Sequence, residues 1–146
     1  MNMIYTSRYA NKELVRGTYT PVRISLGTPR WPLGYTLAGA IKELMPWGIK
    51  DIEDVQEFRK RYFAQLERYG VERIGRQINR FKESGRDVVL LCYEDIRKGP
   101  SYFCHRTMFA EWWLGKTGQM ISELEDNSKF VPEKTAETGM DEMSLF

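Results

Sequence analysis

Residues 87–94 read Asp87-Val88-Val89-Leu90-Leu91-Cys92-Tyr93-Glu94, and the fold turns on how this run is read. A strand with one wet face alternates apolar and polar side chains, whereas an unbroken apolar run suits a strand covered on both faces, as at the centre of a parallel sheet. Strands in such a sheet need crossover connections, and the flanking sequence supplies helical periodicity. Upstream, Asp51 is placed to cap a helix through Ile52, Val55, Phe58, Tyr62 and Leu66, closed by Gly70. Val71, Ile74, Ile78 and Phe81 mark a second helix ending near Gly85. Downstream, a polar loop over 93–102 leads into a helix from about Cys104 to Gly115, and Gln119–Leu124 is a final strand candidate.

Further out, Met3–Thr6 reads as a first strand, and Asn11 as the cap of a helical turn through Val15 that Gly17 ends. Pro21–Leu26 is a second strand, followed by the irregular loop Gly27-Thr-Pro-Arg30-Trp31-Pro-Leu-Gly34. Leu37, Ile41 and Leu44 have helical spacing before Pro46. The expected fold is α/β, a single three-layer Rossmann-like domain with a mostly parallel sheet. It occupies residues 1–124, with 125–146 an acidic tail.

With 146 residues, 42% apolar and 29% charged, the composition is that of one ordinary globular domain. No apolar run is long enough for a membrane span, and the N-terminus lacks a hydrophobic signal region, so a cytoplasmic protein is expected. Two cysteines make no disulfide scaffold, and nothing in the sequence indicates an oxidising compartment. Residues 1–122 carry 20 Lys+Arg against 13 Asp+Glu, a balance of +7; residues 123–146 carry 2 against 7, a balance of −5. A basic body with an acidic tail can attract polyanions, although rows of surface charge such as Arg59, Lys60, Arg61 and Arg68 also serve as a solvated face.

In open α/β sheets, ligands bind outside the carboxyl ends of the strands. The loops there carry Ser7 and Arg8, then Arg30 and Trp31, then Cys92 and Glu94, and Cys104, His105 and Arg106 open the following helix. A helix start favours anions, so Arg8 and Arg106 are candidate phosphate or carboxylate holders. Glu94 and His105 are acid/base candidates, against structural roles as a cap or a satisfied hydrogen bond. Cys104 is a candidate nucleophile, although an adjacent His on a helix does not face it. Cys92 lines the pocket and is equally a core residue. Ser7 completes the ligand set, and Trp31 is positioned to stack on a base or anchor its loop.

Several chemistries drop out. Lys98 stands where a Cys-x5-Arg phosphatase loop would need arginine, and no G-x-S-x-G, G-x-G-x-x-G or P-loop motif is present. Cys92, Cys104 and His105 are zinc-ligand types, but without C-x-x-C the spacing matches no standard site, so no metal is assigned and no cofactor is named.

The runs VVLLCYED and FCHRTMFAEWW resemble the signature of the family catalogued as domain of unknown function number 488, in which a Leu-Cys-x-Glu strand end is followed by Cys-His-Arg on a helix. IYTSRYA and VRISLGTPRWPLGY are similar to a branch of the same family, so the resemblance covers roughly residues 3–124. It implies an α/β fold and a shared pocket around Cys92, Glu94, Cys104, His105 and Arg106, without a settled reaction. The loop between the two halves is longer here than in that pattern. The last residues, Glu142-Met143-Ser144-Leu145-Phe146, are similar to the Gln-Leu-Ser-Leu-Phe peptide that binds the bacterial sliding clamp, with Glu142 in place of the usual Gln. Met143, Leu145 and Phe146 would fill the clamp's pocket, or Leu145 and Phe146 would fold back on the domain. Together these features lead to the expectation of an enzyme acting on nucleic acid or a nucleotide. The alternative is a non-enzymatic module that binds a nucleotide-like anion for sensing or sequestration.

Overall fold

The structure, a computed structural model, describes residues 3–128. Five parallel strands form one sheet: β1 (Ile4–Arg8), β2 (Tyr19–Arg23), β3 (Gly39–Ala40), β4 (Asp87–Cys92) and β5 (Ser122–Glu123), in the order β3-β2-β4-β1-β5. The apolar run at 88–92 is the central strand, and Val88 through Cys92 are fully buried. Its pleat sends Val88, Leu90 and Cys92 to one face and Val89 and Leu91 to the other. The α/β parallel sheet expected from that run is therefore what the chain forms.

All three α-helices lie on the first face: α1 (Val55–Tyr69), α2 (Val71–Lys82) and α3 (His105–Thr117). Phe58, Tyr62 and Leu66 of α1, Ile74 and Ile78 of α2, and Phe109 of α3 pack on the sheet. Each such buried side chain stabilises the fold by about 1.5–3 kcal/mol. The second face is covered by irregular chain, with Tyr9, Leu14, Leu33, Tyr35 and Leu37 over Val89 and Leu91. That layer contains a 3-10 turn, Lys12–Arg16, capped as the sequence predicts by Asn11, whose side chain accepts from the Glu13 amide, and closed by Gly17 at φ 77°. Among the described residues the layered domain thus has its α-helices on one side only.

Two local expectations are corrected. The helical spacing of Leu37, Ile41 and Leu44 does not make a helix. Gly39–Ala40 pairs with Val22 and Arg23 as an edge strand, and a 3-10 turn, Lys42–Leu44, follows. Gly39 permits this, because a Cβ there would come within 2.9 Å of the Phe81 ring. The carbonyls of the turn are taken up by α1: Tyr62 Oη donates to Leu44 O at 2.6 Å, and Gln65 Nε2 donates to Glu43 O and Met45 O. Helix α1 starts later than Asp51 suggests, because Asp54 caps it by accepting from the Glu57 amide at 2.9 Å.

Chain beyond residue 124 is held against the body as far as it is described. Arg8 Nε donates to Asp126, Asn11 donates to the Glu125 carbonyl, and Arg97 donates to the carbonyls of Asp126 and Ser128. Among the described residues no helix is long and apolar enough to cross a membrane.

Candidate functional site

β2 feeds its connection outward to β3 while its neighbour β4 sends the chain the other way, to β5. The carboxyl ends of β2 and β4 are therefore the point where the topology reverses, the usual crevice for a ligand in such a sheet. Strand parity divides the expected site residues between the two sides of the sheet at this point. Cys92 and Arg8 project to the helix side, where Cys104, His105 and Arg106 begin α3, and the Glu94 carbonyl faces Arg106. Ser7 and Trp31 lie on the other side, with Tyr9, Ser25 and Tyr93.

On the helix side the polar groups are spent on one another. Arg106 is fully buried. Its Nε and Nη2 pair with the Glu123 carboxylate, at 3.0 and 2.7 Å, while Nη1 donates to Cys92 Sγ at 3.1 Å and to the Glu94 carbonyl at 2.9 Å. Thr6 Oγ1 donates to the same Glu123. Arg8 is held by Asp126, with Asp95 3.8 Å away. Burial pushes the Asp95 carboxyl up, and hydrogen bonds from Arg97 with the charge of Arg8 outweigh it, leaving it below the usual carboxylate range. The anion-holding role expected of Arg8 and Arg106 therefore meets carboxylates that already compensate both cations.

Cys92 and Cys104 are joined by a disulfide. The sequence reading took both as free thiols, because two cysteines twelve residues apart carry no signal of pairing; the fold brings the end of β4 to the cap position of α3. In this form Cys104 offers no thiolate to act as a nucleophile. His105 is fully buried, with Nε2 2.7 Å from the Ile24 carbonyl. A carbonyl only accepts, so this bond assigns the proton to Nε2 and leaves a lone pair on Nδ1, 3.7 Å from Cys104 Sγ. Burial lowers the imidazole pKa to about 3, the Ile24 bond opposing and the Arg106 charge adding to the fall. The donor atoms of Cys92, Cys104 and His105 lie within 4.8 Å of one another, a zinc-compatible set by ligand type. Ligation would require a thiol reductant to open the disulfide by two electrons, with loss of both thiol protons to the metal site's surroundings. Glu94 is buried at the strand end.

The opposite side keeps an accessible surface. Trp31 is 40% exposed and lies 6.0 Å, centroid to centroid, from the Tyr93 ring, which packs edge-on against Tyr9 at 4.9 Å. Tyr9 Oη and Ser25 Oγ are 2.6 Å apart. Tyr93 Oη is buried, and a Cβ at Gly27 would sit 3.5 Å from it. Burial raises the Tyr93 phenol pKa, and the charges of Arg23 and Arg30 together with a hydrogen bond from Ser25 oppose the rise. Arg23 Nη1 is tied to the Ser25 and Leu26 carbonyls. The sequence reading missed Tyr93, Arg23 and Glu123. Alternation from Cys92 and from Val22 could have placed the first two on the second face, but nothing local marks Glu123 as the partner of Arg106. Ser7, on this side, bonds only within the body, to Asn11 and the Arg8 carbonyl.

No family model, no curated protein and no solved structure matches this chain.

His105 gives a pH test of this arrangement. Its folded pKa lies below the unfolded value, so its contribution to stability is complete above about pH 6.5 and is lost as pH falls toward 3. Urea unfolding between pH 6.5 and 4.5 is expected to show stability falling by up to about 1.4 kcal/mol per pH unit. His105→Gln should flatten that dependence; an unchanged slope in the variant would show that the imidazole is not buried neutral.

Proposed function

We propose that this protein is a binding module for a nucleotide or nucleic acid, working at the carboxyl ends of β2 and β4 on the side of Trp31 and Tyr93. The observation that carries this reading is the half-exposed Trp31 ring beside the Tyr93 ring. A base stacked on Trp31 gains typically about 1–3 kcal/mol. Arg30, exposed on the same loop, and Arg23 suit the attached phosphate. It keeps the non-enzymatic of the two functions read from the sequence but moves the ligand from the Glu94–His105–Arg106 pocket to the opposite face of the sheet. It is favoured because Cys104, His105 and Arg106 are each committed to a structural contact. Titration of the protein with a nucleoside monophosphate, followed by calorimetry, is expected to show binding that Trp31→Ala weakens by roughly tenfold or more. Equal affinity in the variant would remove the shelf from the account.

The enzyme reading rests on one residue. Glu94 is a buried carboxylic acid at the end of β4, the position from which acid/base catalysis on a bound nucleotide or nucleic acid would operate. Recovery of altered nucleotide after incubation, abolished by Glu94→Gln, would establish it over simple binding. Convergence of Cys92, Glu94, Cys104, His105 and Arg106 at one strand end also supports the likeness to domain of unknown function number 488.

We further infer that the partner of the C-terminal peptide is a bacterial sliding clamp, which goes with a cytoplasmic protein that works on DNA. Met143, Leu145 and Phe146, which carry this inference, lie outside the described residues. Binding to purified clamp at micromolar concentration, lost when 142–146 are removed, is the expected result. Equal binding by the shortened protein, or none by either, would withdraw the partner.

A further inference from the structure

A second concave surface lies at the β3 edge of the sheet, between the turn at 42–47 and α2. It is a cleft of about 460 Å³ lined in part by Arg23, Lys42, Glu43, Trp47 and Arg80. Three of these are cations, and none of the three has a carboxylate within ion-pair distance among the described residues. Arg23 is bonded to carbonyls and Arg80 to the Gln77 amide, and Lys42 is exposed. The acid, Glu43, is buried and already accepts from Arg73 Nε at 2.8 Å, a partner from outside the cleft. The lining is thus left with positive charge that nothing described compensates, in a concave site that focuses its field on an incoming anion.

Trp47 adds a different kind of observation. Its ring is 50% exposed, yet it is fixed in place, because Nε1 donates to the Lys42 carbonyl at 2.8 Å. A large apolar face held open to water beside uncompensated cations is the arrangement that takes a base and its phosphates together. Arg23 connects the two surfaces, lining this cleft while its charge also acts on Tyr9 and Tyr93 of the shelf.

We infer that the ligand is a single-stranded polynucleotide, whose backbone passes from the Trp31–Tyr93 shelf over Arg23 into the cleft. There Lys42 and Arg80 meet phosphates, and a further base stacks on Trp47. The strand must be single, because a base reaches the face of a tryptophan only when unstacked and unpaired, and a cleft of this size does not admit a duplex. This inference rests on the proposed nucleotide reading and extends it from one nucleotide to several.

The test is fluorescence anisotropy with end-labelled oligothymidylates of about 3 and about 12 nucleotides, beside calorimetry with thymidine monophosphate. The variants are Trp31→Ala, Trp47→Ala and the pair Lys42→Gln with Arg80→Gln, all surface changes whose folding circular dichroism can verify. Expected are tighter binding of the longer oligomer, a loss of roughly tenfold or more for that oligomer in Trp47→Ala, and unchanged binding of the monophosphate. The Lys42/Arg80 variant should also reduce the slope of log affinity against log salt by about 0.7 for each phosphate contact removed. An oligomer that binds no more tightly than the monophosphate, or binds equally to the cleft variants, overturns the inference and leaves the shelf standing. An oligomer that needs Trp47 but not Trp31 supports the cleft and removes the shelf. Binding of neither ligand removes both.

Discussion

The buried guanidinium of Arg106 is the constraint around which this end of the molecule is arranged. An arginine taken fully out of water costs several kcal/mol unless its donors and charge are met. Here they are met by three groups at once: Glu123 of β5, and the Cys92 sulfur and Glu94 carbonyl at and just beyond the end of β4. β5 is only two residues long, and its backbone ladder to β1 is joined by this ion pair and by Thr6 of β1 reaching the same carboxylate. The preceding residue, His105, reaches the Ile24 carbonyl just beyond β2. One dipeptide at the start of α3 therefore ties the helix to the ends of strands across the sheet, and the Cys92–Cys104 bond adds a covalent link at the same place.

This arrangement changes what the Cys-His-Arg run means. Read along the chain, those side chains are a reactive group at a helix start. In the fold, the arginine is neutralised by a carboxylate, the imidazole is buried with its pKa depressed to about 3, and the cysteine is bonded to another. These contacts link the start of α3 to the ends of β2 and β4, and Trp31 and Tyr93 lie on the other side of the sheet from them.

Legibility in the sequence followed from how local each signal was. The central strand at 88–92 and helix α2 were plain, because an unbroken apolar run and an Ile74–Ile78 repeat depend on no distant partner. The edge strand at Gly39–Ala40 was hidden behind the helical spacing of Leu37, Ile41 and Leu44. Its existence depends on pairing with β2 and on Phe81 lying where only a glycine leaves room. The gathering of Cys92, Glu94, Cys104, His105 and Arg106 was legible as a cluster. Its inward commitment was not, since Glu123 and the Ile24 carbonyl come from segments with no sequence mark of their role. Tyr93 carries no local mark of its role, since only its alternation with Cys92 puts it on the second face.

The central claim is that ligand meets this protein on the Trp31 side of the sheet, while the His105–Arg106 side is structural support. Nuclear magnetic resonance of labelled protein titrated with a nucleoside monophosphate tests it most directly. The account predicts shifts of the Trp31 indole N–H and of the Gly27 and Tyr93 amides, with the ring of His105, the one histidine in the sequence, unmoved. Shifts centred on His105 and Arg106, with Trp31 unchanged, would contradict it and return the chemistry to the buried cluster.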